Sequence, residues 1–94
     1  MDTLDDLMFG IMNNDYGKAD KCGRDKVNGY TIDTCYTIDQ GYETAMWKDL
    51  DEIVIVERYP DKARAETGHK KWCEFAKTNP KSVYSVQIDE DVYF

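Results

Sequence analysis

Hydrophobic and polar positions change period along this chain, and each change predicts an element. Leu4, Leu7, Met8, Ile11 and Met12 recur at three- and four-residue intervals, which predicts a short helix over residues 4–12. Asp2, Asp5 and Asp6 stand where the helix dipole favours negative charge, and Asn13, Asn14 and Gly17 mark the end. Residues 17–29 are polar and hold Gly17, Gly23 and Gly29, so they read as a connection. At Tyr30 the period becomes two: Tyr30, Ile32, Thr34 and Tyr36 alternate with Thr31, Asp33, Cys35 and Thr37. A turn at residues 38–41, a second alternating run over 42–48, a turn at 49–52 and the β-branched run of 53–59 complete a three-stranded antiparallel meander over residues 30–59.

Pro60 closes the last of these strands, because it has no amide proton for the ladder. Asp61 then caps a predicted helix over residues 61–78, with Ala65, His69, Trp72, Cys73 and Ala76 on one stripe. Gly68 within it is expected where the helix comes close to the sheet, and Asn79-Pro80 stops it. Residues 82–88 alternate again as a candidate fourth strand, and residues 89–94 read as an acidic tail. The fold class is therefore α+β: a three- to four-stranded antiparallel meander packed by one long helix, with a short N-terminal helix. Residues 1–94 form a single domain, as expected at this length. Both faces of the meander carry apolar residues, so the face away from the long helix calls for the N-terminal helix or a second copy of the chain, as in a homodimer.

Charge narrows the partners. Twelve basic against nineteen acidic residues give a net charge of −7, which argues against direct binding of nucleic acid or of an anionic membrane surface. The acidic residues fall into blocks, notably Asp49, Asp51 and Glu52, then Asp89, Glu90 and Asp91. Such blocks either keep a small domain soluble or meet a basic protein, and exposed Tyr beside them would suit the second role. The acidic N-terminus does not read as a secretory leader, and no apolar run approaches the roughly 18 residues of a membrane span.

The chemistry-bearing residues are few. The single histidine, His69, precedes Cys73 by four residues, so both share one helix face. With Cys22 and Cys35 they make a set of three thiols and one imidazole, the donors of a tetrahedral structural zinc site. The other reading of the same residues is that Cys35 and Cys73 are small buried hydrophobes and His69 is hydrogen-bonded on its helix. No catalytic constellation is legible: His69 and Cys73 have no evident third member, and the glycines do not form a phosphate loop.

Ile32-Asp33-Thr34-Cys35, Gly41-Tyr42-Glu43-Thr44-Ala45, Val54-Ile55-Val56-Glu57-Arg58-Tyr59 and Gly68-His69-Lys70-Lys71-Trp72 together carry a resemblance. In this order, over about residues 32–75, they resemble a group of small bacteriophage proteins with a YETA…VIVExY…GHxxW pattern. The resemblance implies a phage or prophage origin and action in the cytoplasm of the bacterial host. In size and charge the chain is also similar to type II anti-CRISPR proteins, a class with zinc-containing members. That likeness implies a stoichiometric inhibitor, not an enzyme, that binds Cas9 through its acidic surface and blocks the loading of target DNA. A virion or assembly accessory protein and a small thiol enzyme are the alternatives.

Overall fold

The computed structural model describes residues 21–94. The expected helix at residues 4–12 lies outside them. Four strands form one antiparallel sheet in sequence order: β1 (Lys21–Val27), β2 (Tyr30–Thr37), β3 (Gly41–Lys48) and β4 (Val54–Tyr59). A single long helix, α1 (Lys62–Ala76), follows, and then a separate two-stranded sheet of β5 (Ser82–Ser85) and β6 (Glu90–Tyr93). The α+β class and the meander of residues 30–59 are as the alternation predicts.

Two parts of the chain differ from that expectation. The connection at residues 17–29 contains an edge strand, β1, joined to β2 by Asn28 and Gly29 with φ of 54° and 83°. Left-handed conformation at both central residues gives the tight turn whose twist matches a hairpin, and Asn-Gly is its preferred sequence. Strand β1 escapes a search for alternation because Lys21, Arg24, Asp25 and Lys26 dominate it and only Val27 joins the helix-side apolar cluster. At the other end, residues 82–88 do not extend the meander, and residues 89–94 are not a free tail. They make the β5–β6 hairpin, with Val83 opposite Val92 and Tyr84 opposite Asp91.

Tyr30, Ile32, Met46, Val54 and Val56 pack beneath α1 and the hairpin with Ala76 and Val83, flanked by Trp72, Phe75 and Phe94. On the other face Cys35, Ala45, Trp47 and Ile55 form a second buried cluster. Each face of the sheet thus carries a buried apolar cluster, while Tyr36 at the end of β2 is 41% exposed.

The Asp61 carboxylate caps α1 by accepting from the Arg64 amide at 2.8 Å. Gly68 lets the helix approach β4, since a Cβ there would overlap the Tyr59 ring. An irregularity in the β3–β4 ladder between Thr44 and Ala45 adds one residue to β4. This bulge turns Glu57 and Tyr59 to the same side as Val54 and Val56, under α1, where simple alternation would point them away. Their contacts confirm it: Glu57 accepts from Trp72 on the helix, and Tyr59 packs on Gly68. None of the helices among the described residues is long and apolar enough to cross a membrane.

Candidate functional site

A line of polar side chains runs between the sheet and α1. Thr34 and Thr44 are cross-strand partners on β2 and β3, both fully buried, with their hydroxyls 2.5 Å apart. Thr34 Oγ1 lies 2.7 Å from His69 Nδ1, and Thr44 Oγ1 lies 2.8 Å from the Tyr59 hydroxyl. The far side of the His69 ring meets β1, with Nε2 2.7 Å from Asp25 Oδ2. The Cys73 thiol donates toward the same oxygen across 3.7 Å. One ligand atom each from Asp25, His69 and Cys73 lies within 4.8 Å of the others, close enough to hold a metal ion.

The seam ends in a carboxylate. Glu57 Oε1 accepts from Trp72 Nε1 at 2.8 Å and pairs with Lys71 Nζ at 2.7 Å. Burial pushes the Glu57 carboxyl up, but the hydrogen bonds from Lys71 and Trp72 and the Lys71 charge outweigh it and leave the group below the usual range. Burial drives the Tyr59 hydroxyl well above the ordinary phenol value, so it is a protonated donor at neutral pH. The Cys73 thiol is pushed up to about 11 by burial and by the Asp25 carboxylate. A thiol in that environment stays protonated near neutrality, the opposite of an activated nucleophile.

The four residues read from sequence as zinc donors are therefore only half assembled. His69 and Cys73 do meet. Cys35 belongs to the cluster on the opposite face, because its neighbour Thr34 is the one that faces His69 and strand residues alternate. Cys22 sits at the irregularity of β1 between Lys21 and Gly23 and is not part of the group around His69. Asp25 stands in their place. Its strand hides in a polar stretch, and the Asn28-Gly29 turn was the signal that could have revealed it.

The acidic blocks lie elsewhere. Asp49, Asp51 and Glu52 occupy the β3–β4 turn, and Asp89, Glu90 and Asp91 lead from the hairpin turn into β6; all are exposed. Asp49 and Asp89 have φ of 52° and 60°, so each also serves a left-handed turn position that Asp tolerates better than most residues. The Val86 amide donates to the Ile55 carbonyl at 2.9 Å, which fixes the hairpin turn beside the start of β4, three residues beyond Glu52. Both blocks thus flank one end of β4. Apolar side chains are interleaved with them: Leu50 is 65% and Ile88 51% exposed, and Val86 and Tyr84 are exposed nearby. Against this hairpin the helix leaves a groove floored by Trp72, Phe75 and Val83, with Lys71 and Asp91 also in its lining. No known protein family, curated protein or solved structure matches the chain.

Proposed function

We propose that this protein acts by binding, as a stoichiometric inhibitor that covers a basic, nucleic-acid-holding surface of a host protein. The observation that carries the reading is the acidic and apolar end of β4. Asp49, Asp51 and Glu52 flank exposed Leu50 in the β3–β4 turn, Asp89, Glu90 and Asp91 follow exposed Val86 and Ile88 in the hairpin, and the Val86 amide ties that hairpin to Ile55 on β4. A merely solubilising surface needs the charges but not the apolar residues between them. A protein interface needs both, since apolar anchors hold the complex while complementary charge steers the encounter. A surface built to grip phosphates offers the matching positive field.

The likeness in size and charge to type II anti-CRISPR proteins makes Cas9 the specific target of this reading, with the inhibitor occupying the channel that would receive target DNA. Zinc, if bound, would have a structural role away from that surface. The test is a DNA-cleavage assay in which inhibitor is titrated against guide-loaded Cas9. Inhibition should saturate at a fixed molar ratio, weaken with added salt, and be relieved when target DNA is bound first. Undiminished cleavage at excess inhibitor and low salt would rule out this target.

A further inference from the structure

His69 is held at both ring nitrogens. Nδ1 lies 2.7 Å from Thr34 Oγ1, which itself meets the Thr44 hydroxyl, and Nε2 lies 2.7 Å from Asp25 Oδ2. A proton on Nε2 makes the second contact an ordinary hydrogen bond. A proton on Nδ1, which Thr34 Oγ1 can accept, leaves the Nε2 lone pair facing Asp25, where a metal ion can take the place of the proton.

Two further features favour the metal. The Cys73 sulfur, 3.7 Å from the same carboxylate oxygen, adds a soft donor that a proton would not need. Gly23 on β1 keeps the space beside the ring open, since a Cβ there would come within 3.1 Å of Nε2. We propose that Asp25 Oδ2, His69 Nε2 and Cys73 Sγ bind one divalent transition-metal ion of the zinc class, with water as the fourth ligand. Binding releases the Cys73 thiol proton to solvent and forms a sulfur–metal bond, because a coordinating thiol is deprotonated. Donors of mixed nitrogen, sulfur and oxygen type select this class over magnesium or calcium.

The three donor atoms lie within 4.8 Å of one another and need side-chain adjustment to close on one ion. Zinc–ligand bonds of about 2.0–2.3 Å place tetrahedral donors roughly 3.3–3.7 Å apart. The sulfur–oxygen separation already matches. The nitrogen–oxygen pair must open by roughly half an ångström on that same geometry, and the Asp25 side chain, 57% exposed, is free to swing. Thr34 is a positioning residue here: it holds the ring tautomer and touches no metal. The ion would tie edge strand β1 to α1.

Cobalt(II) titration of the full chain near neutral pH tests this. One cobalt per chain should bind with sulfur-to-cobalt charge-transfer absorption, and zinc should displace it. Cys73→Ser should abolish that absorption, whereas Cys22→Ser and Cys35→Ser should preserve it. Thr34→Val should weaken binding about 10- to 100-fold, and Asp25→Asn, which removes a charged ligand, at least as much. Should a variant unfold, the wild-type protein still decides the matter. His69 is the sole histidine, so nitrogen NMR with added zinc should perturb Nε2 and leave Nδ1 protonated. Absence of the charge-transfer band in folded wild-type protein, its survival in Cys73→Ser, its loss in Cys22→Ser or Cys35→Ser, or coordination at Nδ1 would each overturn the proposal.

Discussion

Beneath α1, the polar groups of Thr34, Thr44, Tyr59 and His69 are turned inward and satisfied by one another. At the end of β4, the carboxylates of both acidic blocks and the apolar side chains between them are turned outward. The first region is over-determined: a bulge, a helix glycine and a cross-strand Thr pair all serve one row of contacts. The second holds backbone geometry at Asp49 and Asp89 and leaves the neighbouring side chains to solvent. The difference separates a part of the molecule that keeps the fold from a part available to a partner. Substitutions should divide the same way, the seam changing stability and the acidic end changing binding.

Gly68→Ala should have the largest effect on stability. The added methyl would collide with the Tyr59 ring, and overpacking of this kind costs about 2–3 kcal/mol, more than the gain in helix propensity of up to about 1 kcal/mol returns. Urea unfolding measures it, and an unchanged midpoint would show that α1 does not press on β4. Thr34→Val comes next. It keeps the shape but leaves His69 Nδ1 and the Thr44 hydroxyl short of a partner, at about 1–3 kcal/mol. Asp61→Ala, which removes the α1 cap, should cost about 1 kcal/mol.

Acid sharpens the seam's side of the comparison. The Glu57 carboxyl is lowered in the folded chain, so the unfolded chain binds its proton first as pH falls. The stability it supplies is fully present above its ordinary value of 4.5 and is lost as pH drops through the folded value. Glu43, which burial raises despite Arg58, contributes with the opposite sign. The difference between wild type and Glu57→Gln therefore isolates the effect: melting temperatures of the two should converge on acidification. Smallest of all should be Asp51→Lys with Glu52→Lys and Glu90→Lys. All three are exposed and none has positive φ, so unfolding should move by less than roughly 0.5 kcal/mol.

How far the sequence could be read follows from the same contrast. Strands with strict alternation, the Asp61 cap and the close approach at Gly68 were legible, because each is a local pattern with one physical cause. Strand β1 was not, since an edge strand whose inward residues are Gly23, Asp25 and Val27 has only one apolar member and no apolar period; only its Asn-Gly turn betrays it. The bulge in β4 was also hidden, and with it the placement of Glu57 and Tyr59. In the candidate metal site, the helix spacing brought out His69 and Cys73 but could not show that Thr34 rather than Cys35 faces them. That depends on the register of β2 against α1, a tertiary fact. The acidic blocks were visible as composition, but their meeting at one end of β4 rests on the single Val86–Ile55 hydrogen bond.

A binding titration of guide-loaded Cas9, at low and raised salt, with wild type and the Asp51→Lys, Glu52→Lys, Glu90→Lys triple variant decides whether the acidic end of β4 is an interface. Wild type should bind saturably at one to one, more weakly as salt rises, and the variant should lose binding while remaining fully folded. Equal binding by both proteins, or no binding by either, would contradict an interface there.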